Sequence, residues 1–553
     1  MLIITNARIH TLNPDRPAAS AIAVDGERIV SIGDDASLLS GWGDRAEIVD
    51  LEGRTIIPGL IDAHIHLQQF ALALQAVNCE TNTRAECLER VAERAQKARA
   101  GEWIVGHGWN QNDWPEGFGS AADLDPITPY NPVYLTARSL HAAWANSAAL
   151  RLARISPKTA DPPGGHIQRD PSGSPTGIFF ESAMELISKA IPAPNVEDIS
   201  TAIHNALPRL WGMGLTGAHD FDRRDCFSAL QLLHAAGSLN FRVIKSIPLE
   251  NLPQAVELGL RTGFGDDYLR IGPVKAFADG ALGPHTAAMF QPYEGEPENR
   301  GILLLDGEEL FERGRHAVEN GLSLAVHAIG DRANHEVLNA FEQIRKFESA
   351  LSRTEDDRLK WNTPLRHRME HVQIIHPGDL PRLASLGVIG SMQPIHAASD
   401  YPMADRYWGA RARHSYAWRS VLNAGVRVAF GSDAPVESPN PFWGIHAAVT
   451  RRRQDGSPGA EGWYPDQRIQ LVEALHGFTV GPAFAAGMED RLGILAPDFL
   501  ADLLVLDRDL FACGPDEIYQ IRPLATMVGG RWVYADPSMA DLTSSGGHLP
   551  PGL

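Results

Sequence analysis

Along the chain, short apolar runs rich in β-branched residues alternate with longer stretches whose apolar positions recur at helical spacing, which predicts βα units around a parallel sheet. Eight such runs fall at residues 55–61, 215–219, 241–247, 269–277, 322–327, 366–372, 388–392 and 426–430. Eight units predict an α/β protein built on a closed (β/α)8 barrel of the TIM type, with functional groups at the C-terminal ends of its strands. The two chain ends have another texture. Residues 2–9, 21–32 and 46–50 form short alternating stretches broken by Asn-Pro, Asp-Gly and Gly-Asp, and 501–506 and 525–534 repeat the pattern. The ends are therefore expected to join in one small β-sandwich domain, residues 1–54 with 491–545, around a barrel spanning 55–490. Residues 68–210 are too long for one barrel connection and carry many turn signals, so they are expected to fold as an insertion after the first strand and cover the barrel mouth as a lid.

Composition narrows the function classes. The 553 residues are 44% hydrophobic and 21% charged, values of an ordinary folded protein. A formal net charge of -19 repels polyanions, which argues against a nucleic-acid or anionic-membrane partner. The basic run Arg451, Arg452, Arg453 reads as a solvated loop or helix end. Cys79, Cys87, Cys226 and Cys513 show no CxxC spacing, which suits a reducing compartment, so the cytoplasm is the expected location. The N-terminus has no basic segment followed by a long apolar stretch, and no run approaches the roughly 18 apolar residues of a membrane span.

The candidate chemistry sits where the predicted strands end. Pro58-Gly59-Leu60-Ile61-Asp62-Ala63-His64-Ile65-His66 carries two histidines at i, i+2, a spacing that puts both imidazoles on one side of a strand and lets two nitrogens converge on a cation. Taken alone, the pair reads equally well as strand-end histidines bonded to backbone carbonyls. His327 ends the fifth predicted strand, His371 lies at the C-terminal end of the sixth and Asp433 follows the eighth, and histidine with carboxylate is the ligand set of catalytic zinc and related ions. Lys275 lies in the fourth strand, where a buried ammonium must be neutralised, paired, for example with Asp279, or chemically altered.

Six segments together resemble the amidohydrolase superfamily, in particular the amidohydrolase-3 group that includes YtcJ-like proteins and N-substituted formamide deformylases. They are Pro-Gly-Leu-Ile-Asp-Ala-His-Ile-His, Val-Lys-Ala-Phe-Ala-Asp-Gly-Ala-Leu-Gly, Val-His-Ala-Ile-Gly-Asp-Arg-Ala-Asn, Arg-Met-Glu-His-Val-Gln, Ser-Met-Gln-Pro-Ile-His and Gly-Ser-Asp-Ala-Pro-Val. The resemblance spans nearly the whole chain and implies two divalent ions per chain, zinc first, with one ion as the alternative. His64 and His66 would hold the more buried ion with Asp433, and His327 and His371 the more exposed one. A carboxylated Lys275 would bridge the two. Asp433 would act as general base on water activated to hydroxide by the metal, then return the proton to the departing nitrogen.

Further residues are expected near the substrate. Ser139-Leu140-His141-Ala142-Ala143-Trp144-Ala145-Asn146 keeps a histidine and an asparagine where similar proteins read Asp-Gly-His, and gives His141 and Asn146 as candidate contacts. His219 at the second strand end, and Gln393 and His396 at the seventh, are candidate lining residues. Trp103, Trp109, Trp114 and Trp144 fall in the insertion, and Trp109 is the candidate for contact with an apolar substituent of the substrate. The expected reaction is hydrolysis of a non-peptide carbon-nitrogen bond in a small amide, an N-substituted formamide or N-acyl amine. The alternatives are a catalytically silent scaffold and a metal-dependent lyase or isomerase. The resemblance also allows a homodimer, although no stretch identifies its interface.

Overall fold

A computed structural model describes residues 1–139, 141–351 and 365–539. Eight strands form one parallel sheet: β1 (Leu60–Ile65), β2 (Leu215–Asp220), β3 (Arg242–Pro248), β4 (Leu269–Phe277), β5 (Leu324–Ala328), β6 (Arg368–His371), β7 (Ile389–Met392) and β8 (Val428–Phe430). They follow one another in spatial order, and a parallel bridge between Ile65 and Ala434 joins the first strand to the end of the last. Helices such as Arg224–Ala235, Gly307–Glu319 and Asp331–Leu351 return the chain between strands. The (β/α)8 barrel is therefore present, with its strands where the apolar runs predict them.

The first strand is the exception. The run expected as one strand, residues 55–61, divides at Gly59. Thr55–Pro58 pairs antiparallel with Leu503–Leu506, and only Leu60–Ile65 enters the barrel against β2. A Cβ at Gly59 would lie 2.4 Å from the Thr216 side chain, so the backbone crosses between the two sheets at a point where only glycine fits.

Strands from both ends of the chain form two further sheets. One has four strands, and the other combines Arg8–His10, Ala18–Ala19 and Thr55–Pro58 with Leu503–Leu506, Pro523–Val528 and Arg531–Ala535. Ile4, Ile22, Ile56, Leu503, Val505 and Met527 share one buried cluster between them. The expected limit at 545 lies outside the described residues. Arg242 of β3 donates two 2.7 Å bonds to Asp502, and Asp502 also accepts from Gly529 N in the turn before Arg531–Ala535. One carboxylate thus ties a barrel strand to the terminal sheet.

Residues 70–202 form a separate compact unit. Its own six-stranded sheet includes Ile104–Trp109, Val133–Ala137, Ala142–Ala145 and Pro175–Glu181. The tryptophans build the core of this unit. Trp109 stacks on Trp114 at 6.0 Å, Trp114 meets Trp144 edge-on, and the Trp109 indole N–H donates to Leu135 O. Trp109 is 1% exposed, which corrects its assignment as a substrate contact: its ring and its polar handle are both used inside the unit. Trp109→Ala is therefore expected to destabilise this unit by about 3–5 kcal/mol. Limited proteolysis checks this, and cleavage at the wild-type rate would contradict it. Among the described residues no helix is long and apolar enough to cross a membrane.

Candidate metal centre

The i, i+2 histidines do converge. His64 is the penultimate residue of the wholly buried β1 and His66 lies just beyond the strand, and their Nε2 atoms approach the same oxygen, Asp433 Oδ1, at 3.5 and 3.3 Å. Asp433 reaches that place in a left-handed conformation, φ +61°, with its backbone N–H donating to His64 O at 2.7 Å. The approach is tight: a Cβ on Gly431 would lie 2.5 Å from both His64 N and Asp62 Oδ1. Asp62 fastens the same junction, accepting from His64 N and from the Ser432 N–H and hydroxyl.

Each histidine is held from behind by a carboxylate. His64 Nδ1 donates to Glu370 Oε2 at 2.7 Å, and His66 Nδ1 donates to Asp222 Oδ1 at 3.2 Å. Asp222 also accepts from the Gln68 and Gln69 backbones and the Gln69 side chain. With the Nδ1 protons committed, both Nε2 atoms face inward, the arrangement metal-ligating histidines commonly have, although His66 must first give up the Nε2 proton it shares with Asp433. The sequence reading missed Glu370 and Asp222. A signal existed for each: Arg368 and Glu370 are opposite charges at i, i+2 in a buried strand, and Asp220 and Asp222 are paired acids at another strand end.

His371, at φ +75° on the end of β6, bonds through Nδ1 to Gln393 Oε1 at 2.8 Å. Its ring lies 4.8 Å from that of His64 and 4.5 Å from that of His327. Among the described residues, two groups at this end of the barrel have donor atoms within 4.8 Å of one another: His64, His66 and Asp433, and His371, His396 and Asp433. His396, expected as a lining residue, thus stands among the ligand candidates. His327 belongs to neither group; its Nε2 donates to Gly280 O at 2.9 Å, which leaves the Nδ1 lone pair as its free coordinating atom. A third group, Asp220, Asp222 and Cys226, is already served by the Lys245 ammonium, 2.8 Å from Asp220 Oδ2.

Charge states suit a cation. Burial and the Lys275 ammonium push His64 down to about 4 and His327 to about 3, and burial with the neighbouring His327 and His64 takes His371 well below its ordinary value. These imidazoles are neutral near pH 7. Burial opposes charge on His66, but bonds to Asp222 and Asp433 outweigh it and raise this histidine to about 9. Burial likewise opposes ionisation of Asp433, yet the bond from His66 and the nearby His64, His371 and His396 hold it well below the usual carboxylate range. Burial lowers Lys275 to about 8, against the pull of Glu370 and Asp433. Lys275 Nζ, Gln393 Nε2 and His396 Nε2 are buried without a hydrogen-bond partner, and unsatisfied polar atoms on this scale are costly unless a ligand completes them. The histidine and carboxylate donor set fits a divalent cation, whereas Gln393 Nε2 is an amide N–H donor that calls for an acceptor, and Lys275 Nζ could face a cation only after losing its proton or being carboxylated.

A cavity of about 690 Å³ opens beside the ligands, lined by His66, Gln69, Phe221, Asp222, Lys275 and Phe277 among others. A larger one, about 840 Å³, lies between Asp331, His335, Asp379, Arg382 and Arg411. Its cations are engaged, Arg382 by Asp379 and Arg411 by the Trp408, Gln291 and Pro292 carbonyls, so the smaller cavity is the functional candidate.

The remaining expected contacts fall elsewhere. His219 is buried beneath the ligands with its Nδ1 accepting from Arg368, so it does not line the cavity. Gln393 supports His371. Asn146 spends both ends of its amide within the inserted unit, accepting from Val133 N and Ala149 N and donating to Thr128 and Asn131, which corrects its assignment as a substrate contact. His141 is exposed on that unit, 3.0 Å from Glu181.

A family profile described as the amidohydrolase family matches residues 47–534. The protein LONG AFTER FAR-RED 3 of Arabidopsis thaliana is 33% identical, over 96% of this chain and 91% of its own length. The N-substituted formamide deformylase of Arthrobacter pascens is 31% identical, over 96% and 97%. A crystal structure of an uncharacterized metal-dependent hydrolase from Pyrococcus furiosus superposes with a TM-score of 0.74 at 30% identity, covering 92% of this chain and 99% of that one.

Proposed function

Because this chain belongs to the amidohydrolase family, we propose that it is a metal-dependent hydrolase that cleaves the carbon-nitrogen bond of a small non-peptide amide, with N-substituted formamides as the first substrate class. The observation that carries this reading is the convergence of His64 and His66 Nε2 on Asp433 Oδ1, each imidazole braced by its own carboxylate. The similarity to the formamide deformylase supports the substrate class.

His64, His66 and Asp433 would hold one divalent cation, zinc first, and His371 with His396 and the shared Asp433 a second. His327 would be an additional ligand through Nδ1, and Lys275 would be one only once deprotonated or carboxylated. A cation held there would supply Lewis acidity, which lowers the pKa of water from about 15.7 toward 7 and polarises a carbonyl. The protein's own part is positional. Asp433 Oδ1, beside both inward-facing imidazoles, takes the proton of the attacking water and passes it to the leaving nitrogen. Phe221 and Phe277 give the cavity an apolar wall, while Gln68, Gln69 and Asn251 supply amide groups that orient a carbonyl compound. A volume of about 690 Å³ suits a small molecule.

The test is incubation with N-substituted formamides in oxygen-18 water. Formate carrying one labelled oxygen and an equal amount of amine are expected, with activity abolished by a chelator and restored by zinc. Chelator-resistant turnover, or unlabelled formate, would contradict the reading. The centre should also bind zinc in competition with a proton. His66 is raised to about 9, so between pH 7 and 9 the ion must displace its proton, and apparent affinity should rise by about tenfold per pH unit. Calorimetry in buffers of different ionisation enthalpy measures the proton released, and a pH-independent affinity would remove His66 from the ligand set.

A further inference from the structure

We propose that Arg368 is a positioning residue for the metal centre, which acts through Glu370 to keep the proton of His64 on Nδ1 and its Nε2 lone pair turned toward Asp433. The proposal rests on the metal-dependent reading above and concerns how that affinity is set. A guanidinium has donors and no acceptor, and a carboxylate has acceptors only. Arg368 Nε donates to Glu370 Oε1 and Arg368 Nη2 to Glu370 Oε2, the latter at 3.0 Å. Arg368 Nη2 also donates to Ser391 Oγ and Ala63 O, both at 2.6 Å, and Nη1 to His219 Nδ1 at 2.7 Å.

The tautomers of two histidines follow from these roles. His219 Nδ1 must be an acceptor, so its proton sits on Nε2. Glu370 Oε2 accepts from His64, so that histidine carries its proton on Nδ1. One buried cation thereby places two imidazoles in opposite tautomers. Its partners come from β1, β2, β6 and β7, so the guanidinium spans the barrel beneath the ligands.

Stability alone does not explain the arrangement. Barrel interiors are ordinarily filled by branched apolar side chains, and replacing a buried ion pair by such residues is often neutral or stabilising. Arg368 and Glu370 have side chains 1% and 0% exposed. Groups bonded to the outer nitrogen of a metal-ligating histidine commonly change metal affinity by about 10–100-fold, which is a use that apolar packing cannot replace.

The experiment is competition between the full chain and a chromophoric chelator for zinc, alongside circular dichroism and thermal unfolding. Glu370→Gln is expected to weaken zinc binding by about 10–100-fold, because an amide N–H replaces one of the two acceptor atoms. The double variant Arg368→Met with Glu370→Gln removes both charges. Positioning predicts that it regains thermal stability while zinc binding stays weak, whereas a purely structural pair predicts that both recover together. If Glu370→Gln does not fold, Ser391→Ala removes one bond to the guanidinium and is expected to weaken zinc severalfold with an unchanged circular dichroism spectrum. Wild-type affinity in a folded single variant, or joint recovery in the double variant, overturns the proposal. A wild-type chain that binds no zinc overturns the metal-dependent reading instead.

Discussion

Asp433→Asn is expected to lower amide hydrolysis by about a hundred- to ten-thousandfold while leaving the protein folded. The size of the effect follows from the two duties of one atom. Oδ1 is the point on which both His64 and His66 converge, and it is the base available to an attacking water beside them. An amide in its place offers a neutral acceptor that cannot take up a proton at neutral pH. The fold should tolerate the change, because Asp433 adopts φ +61° and asparagine enters that region more readily than most residues. The backbone bond from position 433 to His64 O is also independent of the side chain. Turnover measured beside thermal unfolding checks this, and activity within tenfold of wild type at equal stability would remove Asp433 as the base.

Asp502→Ala is expected to reduce stability by about 3–5 kcal/mol with little direct effect on the site. The carboxylate is 3% exposed and takes two 2.7 Å bonds from Arg242, which is equally buried. Removing it leaves a guanidinium held in the interior, with one bond to Asp267 O and its face over Tyr268. It also takes away the acceptor of Gly529 N in the turn of the terminal sheet. A lower urea midpoint at unchanged slope is the expected result. An unchanged midpoint would mean that the terminal sheet and the barrel are joined by apolar packing alone.

Much of this molecule is legible in its sequence, and the legible part has a common cause. Eight apolar runs announce eight barrel strands because a buried parallel strand needs apolar residues on both faces, a requirement met within a few neighbouring positions. His64 and His66 could be paired for the same reason: a spacing of two along an extended chain puts both on one side whatever the rest of the protein does. His371 and Asp433 were recoverable as residues at or just past strand ends, where barrel sites form.

Other features depended on partners far away in the chain. Residues 55–61 form one apolar run, and only the competing partners Leu503–Leu506 and β2 divide it at Gly59 between two sheets. Trp109 has the composition of a substrate platform, and its burial against Trp114 and the Leu135 carbonyl makes it core. His219 lies at the end of an apolar strand and His396 just beyond another, yet the first is turned to Arg368 and the second joins His371 and Asp433.

The sequence by itself determined the order of the βα units and the kinds of side chain that end them, since those depend on local periodicity and composition. The tertiary structure alone decided which nitrogen of each histidine is free. That choice is made by donors and acceptors remote in the chain, Glu370 for His64 across 306 residues and Arg368 for His219 across 149, and an imidazole carries no local signal of which of its two nitrogens will hold the proton.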